Sequence, residues 1–234
     1  MELYAGNERA HRHMELPGLE GDVIALPSEG REGGDLYALL SCGAARYARV
    51  VLADAVGHGF KASEVAKHVH GLLHKHSDIR DTAGLLAALN NAFEPAGEVP
   101  GAPLRVTTVV SATYYRDTGE FTYAYAAHPR MLLWHENEGR WRALGEEMEG
   151  LPLGVISGET YSQQTVQLEP GDMVMAFSDA VIDVLSPEGT QLTAEGFLHF
   201  AGLTMSLIPH PASLHMLAEE LLDAVQRYHG SATF

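Results

Sequence analysis

Two apolar runs far apart in the chain end in the same way. Val50-Val51-Leu52-Ala53 leads into Asp54, and Met173-Val174-Met175-Ala176-Phe177 leads through Ser178 into Asp179. Such a run reads as a buried strand, and a carboxylate at its exit is held at the rim of a core. Gly57 and Gly59 follow the first aspartate, where they permit a tight turn and let backbone oxygens approach an ion. The pattern suggests one shared divalent-metal site. The fold must therefore bring two distant strand ends together.

The periodicity of the rest says what surrounds those strands. Residues 7–31, with Pro17 and Pro27, read as a first strand or two joined by loops. After Gly59, Ala62, Val65, Ala66, Val69, Leu72 and Leu73 recur at intervals of three and four, the stripe of an amphipathic helix. A second helix starts at an Asp81 cap and carries Leu85, Leu86, Leu89 and Phe93 on one face, followed by a Gly/Pro-rich connector over 94–103. Residues 106–115 and 121–127 are rich in β-branched and aromatic side chains and flank a turn at 116–120, the signature of a hairpin. Residues 131–135 and 141–144 flank another turn, 161–168 alternates, and helices are expected near 194–204 and 211–228. Consecutive hairpins in the middle and helices toward the ends give an α+β protein with antiparallel sheets and helices outside.

Composition narrows the class. The 234 residues, 46% of them hydrophobic, suffice for a substantial core and are read as one domain over 1–234. The formal net charge of −16 opposes nucleic acid or an anionic membrane as partner. The sequence has neither a membrane-length apolar run nor a visible signal peptide. Its single cysteine, Cys42, reads as a small buried residue that cannot form an internal disulfide. These features together favour a cytoplasmic location.

A third carboxylate stands in Gly33-Gly34-Asp35-Leu36-Tyr37. With it the chain resembles the SpoIIE-type branch of the metal-dependent serine/threonine (PPM) protein phosphatases. GGDLY, DAVGHG from Asp54 and SDAV from Ser178 occur in the family's order. So do Ala126-Ala127-His128-Pro129, similar to an AGHxP turn, Gly150-Leu151-Pro152-Leu153-Gly154, similar to GLPLG, and Leu168-Glu169-Pro170-Gly171-Asp172, similar to L-x-PGD. The resemblance spans residues 33–233 and implies a four-layer αββα sandwich with the metal site between its two sheets.

It also implies a chemistry: hydrolysis of phosphoserine or phosphothreonine by metal-activated water, with Mn2+ or Mg2+ as the hard ions that oxygen donors prefer. Carried onto this sequence, Asp54 bridges two metals, Ala55 gives its backbone carbonyl and Asp179 binds one of them. Asp35 holds water bound to the metals, and His58 tunes or assists the reaction. The resemblance suggests a phosphorylated regulatory protein as substrate, for example an anti-anti-sigma STAS protein in partner switching. Taken singly, each aspartate is also an ordinary turn residue; it is their joint occurrence that points to a site. Asp183 reads equally as a neighbour of the site or a solvated residue. His128 reads as structural, and Arg130, where the family has a proline, could face a phosphopeptide. His68, His70, His74 and His76 crowd the first helix, and His70 with His74 has zinc-pair spacing. Without an HExxH signature or a third ligand they read as a solvated face, and a zinc hydrolase is the remote alternative.

Two departures bear on catalysis. The family closes with a DD-x-T segment whose aspartate is a further metal ligand, whereas this sequence ends His229-Gly230-Ser231-Ala232-Thr233-Phe234. On that reading one metal is weakened and the last strand is missing. Ala180 replaces a glycine and is expected to strain its turn if positive φ is needed there. Both motivate the alternative of a degenerate phosphatase fold that captures a regulator or phosphoprotein without turnover. The oligomeric state is not legible.

Overall fold

The computed structural model describes residues 2–27, 31–42, 44–93, 105–208 and 213–230. In chain order the elements are β1 (Glu2–Glu8), β2 (Ala10–Leu16), β3 (Leu19–Ala25), β4 (Glu32–Ser41), β5 (Tyr47–Ala55), α1 (Gly59–Lys75), α2 (Thr82–Ala92), β6 (Thr107–Tyr115), β7 (Glu120–Ala126), β8 (Leu132–His135), β9 (Arg140–Ala143), β10 (Gln164–Gln167), β11 (Met173–Met175), α3 (Asp179–Ile182), α4 (Thr193–Leu207) and α5 (Leu214–His229). A six-stranded antiparallel sheet runs β1-β4-β5-β6-β7-β10, a three-stranded one runs β11-β8-β9, and β2 and β3 form a separate ribbon.

Three apolar clusters show how these pieces stack. Strand residues alternate between the two faces of a sheet. Leu36, Ala38 and Leu40 of β4, Val51, Ala53 and Ala55 of β5, and Val109 of β6 face Val65, Val69, Leu73, Leu85, Leu86 and Leu89 of α1 and α2. The opposite face presents Val110, Ala112, Phe121, Tyr123 and Tyr125, which meet Met131, Leu133 and Leu144 from the second sheet. The far side of that sheet gives Leu132, Trp134 and Trp141 to Phe197, Ala201, Leu217, Leu221 and Val225 of α4 and α5. The order helix, sheet, sheet, helix is the expected αββα sandwich. Leu85, Leu86 and Leu89 are fully buried, so truncating any one to alanine would cost about 2–5 kcal/mol.

Expected and observed elements agree except at weak signals. The Asp81 cap accepts from Gly84 N and opens α2 as its sequence requires. The alternation over 161–168 shortens to Gln164–Gln167, and β1 was not anticipated. Arg49 is a charged side chain in the interior: it is 1% exposed and donates to Thr113 Oγ1 and to the carbonyls of Ile79 and Arg80. It thereby ties the loop between α1 and α2 to the sheet. Cys42, expected to be buried, is only partly so; its sulfur lies at a turn and accepts from Arg46 N. The 94–103 connector and Ser231 lie outside the described residues, and no described helix is long and apolar enough to cross a membrane.

Candidate active site

Register places the first two aspartates side by side. Asp35 of β4 is the cross-strand partner of Asp54 of β5, and Asp54 is in turn paired with Thr108 of β6. Directly opposite residues share a face, and the alternation that sends Ala53 and Ala55 toward α1 turns Asp54 toward the second sheet. Asp179 arrives from that second sheet, at the start of α3 just beyond β11. Three carboxylates from two sheets thus meet at one end of the sandwich.

Asp54 is in contact with both of the others, and its electrostatics reflect this. Asp54 is pushed up to about 8, first by burial, then by the negative charges of Asp35 and Asp179 and by side-chain contacts with both. Burial also raises Asp35, against hydrogen bonds from Ser178 and Asp54 that lower it, while the charge of Asp179 raises it further. Three anions in a half-buried cleft oppose one another unless a proton or cation is shared among them. An all-oxygen cluster of this kind is the donor chemistry of Mg2+ or Mn2+.

The backbone is shaped to match. A Cβ on Gly34 would sit 3.0 Å from the Ala55 carbonyl oxygen and 3.0 Å from the Ala62 side chain, so a side chain there would push on the carbonyl end of β5 by a few tenths of an ångström. Gly57 and Gly59 take φ of +104° and +69°, which turns the chain away from Asp54 and into α1. His58 between them is exposed, in extended conformation at the N-cap of α1.

Sequence reasoning missed Ser178 and underrated the surroundings of His128. Ser178 stands at the N-cap of α3, yet its hydroxyl does not cap the helix; it donates to Asp35 Oδ2 at 2.8 Å and joins the two sheets across the site. His128, 3% exposed, hydrogen-bonds through Nδ1 to Thr108 Oγ1 at 2.8 Å, and the Phe177 backbone acts on its ring. It therefore ties β6, beside Asp54, to the turn after β7, and lies against the Phe177 backbone in the segment that delivers Asp179. Burial drives its pKa down to about 3, so the ring is neutral. The preceding Ala127 takes φ of 55°, a left-handed conformation that suits the glycine of the AGHxP pattern better than alanine.

Other motif residues support the rim. Leu153 exchanges two backbone hydrogen bonds with Thr107, and Gly154 donates to Asn90 Oδ1, which fixes the start of β6. Asp172 accepts from the backbone of Glu136 and Glu169, holding the approach to β11 against the β8–β9 hairpin.

Several expectations are corrected. Ala180 lies within α3 and not at positive φ, so no strain arises there. Arg130 turns inward, stacking on Tyr125 at 4.5 Å and donating to the Met148 carbonyl. Asp183, read equally as a neighbour of the site or a solvated residue, is exposed one turn beyond Asp179 and accepts from Gln191. On α1, His70 and His74 are exposed, whereas His68 packs edge-on against Phe93.

Comparison with known proteins agrees with this architecture. The family described as Stage II sporulation protein E (SpoIIE) matches residues 44–233. The phosphoserine phosphatase RsbU of Bacillus subtilis is 34% identical over 82 residues, which cover 35% of this chain and 24% of RsbU. The RsbU and RsbW domains of Rv1364c from Mycobacterium tuberculosis superpose with a TM-score of 0.69 at 25% identity, over 88% of this chain and 54% of that one. The PP2C phosphatase domain of SpoIIE from Bacillus subtilis, with a fragment of its regulatory domain, gives 0.68 at 17% identity, over 99% and 60%. The chain thus spans about a quarter of the curated relative it matches and about half of the first solved one. Family match, layer order and the carboxylate rim converge: this chain belongs to the SpoIIE family and carries its PPM-type phosphatase fold.

Proposed function

We propose that this chain hydrolyses phosphoserine or phosphothreonine on a regulatory protein with Mn2+ or Mg2+, the ions being held by Asp54, Asp179 and the Ala55 carbonyl. The observation that supports it is the meeting of Asp35, Asp54 and Asp179 at one half-buried rim, with Asp54 pushed up to about 8 by burial and its neighbours. A site that costs this much to assemble empty favours a cation. Bound divalent ions would supply acidified water and neutralise the phosphoryl oxygens.

The chain's own residues have distinct tasks in this reading. Asp54, central in the row Asp35-Asp54-Thr108, would hold the ions through its carboxylate. Asp179 closes the site from the second sheet. Asp35, held by the Ser178 hydroxyl, accepts hydrogen bonds from water at the rim and keeps it oriented. His58, on the exposed loop beyond Asp54, meets the incoming phosphoryl group or its leaving oxygen. A STAS-like phosphoprotein is the substrate class we favour, since RsbU is named a phosphoserine phosphatase and the Rv1364c structure joins RsbU and RsbW domains.

The test is phosphate release from p-nitrophenyl phosphate and from a phosphoserine STAS protein, titrated with Mn2+ and Mg2+, for wild type and Asp54→Asn. Metal-dependent turnover that disappears in the folded variant is expected. Equal turnover in both would refute the assignment of Asp54. A folded wild type that binds the phosphoprotein without releasing phosphate at any metal concentration would instead make it a capture module.

A further inference from the structure

A cluster of potential metal ligands lies where the β2–β3 ribbon meets α5. His11 of β2 stacks on His215 of α5, with ring centroids 4.4 Å apart. His215 Nε2 lies 3.4 Å from Glu219 Oε1, one helical turn on. One ligand atom from each of His11, His215 and Glu219 falls within 4.8 Å of the others, and all three residues are exposed.

Asp22 of β3 gives this cluster a direction. Its side chain is 3% exposed, and its Oδ2 is 3.3 Å from His13 Nδ1. Its Oδ1 is buried with no hydrogen-bond partner and faces His215 Nδ1 at 3.7 Å. A buried carboxylate oxygen without a partner costs about 1–3 kcal/mol or more. Both ring nitrogens of His215 therefore point at carboxylates. A neutral imidazole can donate to only one of them. A doubly protonated ring would satisfy both carboxylates and could also stack on His11, but it leaves the His11 ring nitrogen, within 4.8 Å of the other two donors, unused. A cation between Nε2 and Glu219 accounts for all three: it leaves the proton on Nδ1, aimed at Asp22, and draws His11 in as a further ligand.

We propose that His11, His215 and Glu219 bind a zinc ion, with Asp22 orienting His215 through Nδ1. Two imidazoles and one carboxylate form a zinc-type donor set, distinct from the all-oxygen rim. Zinc bonds of about 2.0–2.2 Å place tetrahedral donors roughly 3.3–3.6 Å apart. The His215–Glu219 pair already has that spacing, and rotation of exposed rings supplies the rest. The ion would clamp the ribbon, a two-stranded element marginal by itself, onto α5.

The experiment is Zn2+ titration of EDTA-stripped protein against a chelating dye, in the Asp54→Asn background so that the carboxylate rim does not contribute. One tight equivalent is expected. It should be lost in His215→Ala/Glu219→Gln and in His11→Ala, and weakened 10–100-fold with unchanged stoichiometry in Asp22→Asn. Co2+ bound in its place should give a tetrahedral absorption spectrum that vanishes in the same variants, while circular dichroism verifies that each is folded. The proposal is overturned if the folded parent binds no Zn2+, if the double substitution leaves affinity unchanged, or if His70→Ala/His74→Ala removes the equivalent instead.

Discussion

Asp54→Asn should stabilise the metal-free protein at alkaline pH while abolishing its response to manganese. Asp54 rises from 3.8 to about 8 on folding. A raised folded-state value means that its contribution is fully present below about 3.8 and is lost as pH climbs through about 8. At about 1.36 kcal/mol per pH interval, the ceiling for the loss is roughly 5–6 kcal/mol. Asp35 and Asp179 share the charge and the rim is open to water, so a loss of about 1–3 kcal/mol is the expected scale. Asparagine removes the anion and offers an N–H to its neighbours. Thermal melts of EDTA-treated wild type and Asp54→Asn should therefore lie closest at about pH 4, separate progressively as pH rises, and differ by about 2–12 °C in favour of the variant near pH 8.5, at about 2–4 °C per kcal/mol for a chain of this size. Millimolar Mn2+ should reverse the order by stabilising only the wild type. A melting difference that stays constant between pH 5 and 8.5 would show that the three carboxylates do not repel one another, and the argument for a cation would fall with it.

Four further expectations follow from the same site and its supports. Ser178→Ala should loosen Asp35, raising the Mn2+ concentration needed for half-maximal phosphatase activity about tenfold, which is about 1.4 kcal/mol, with little change in melting temperature. His128 is depressed to about 3, so its contribution is present above about 6.5 and lost as pH falls toward 3; His128→Gln should flatten the acid limb of the stability profile, and an unchanged limb would remove His128 as its source. Ala127→Gly should raise stability by about 0.5–1 kcal/mol in urea titration, since φ of 55° suits glycine, and a loss would mean that the alanine methyl packs usefully. Arg49→Met should cost about 2–4 kcal/mol, because it leaves Thr113 and two loop carbonyls without their donor; a near-neutral result would show that water replaces the guanidinium.

Local patterns carried much of this protein. The stripe after Gly59 and the Asp81 cap specified α1 and α2, because helical periodicity and capping are properties of a few adjacent residues. The hairpins over 106–127 and 131–144 were legible for the same reason, and the strand-end positions of Asp54 and Asp179 could be read from apolar runs and their glycines. Weak alternation and short spans hid β1 and lengthened β10. What the sequence could not supply was register and layer order. That Asp35 faces Asp54, that Thr108 lies beside it, and that Ser178 crosses from the second sheet to bind Asp35 all depend on pairings between distant strands. The same holds for Arg130, which turns inward onto Tyr125, and for His11, Asp22 and His215, three unremarkable residues that become a cluster only when the ribbon meets α5. Backbone preference and solvent affinity act residue by residue and can be read along a chain. Charge repulsion, shared protons and ligand geometry depend on distances that exist only once the sheets have stacked.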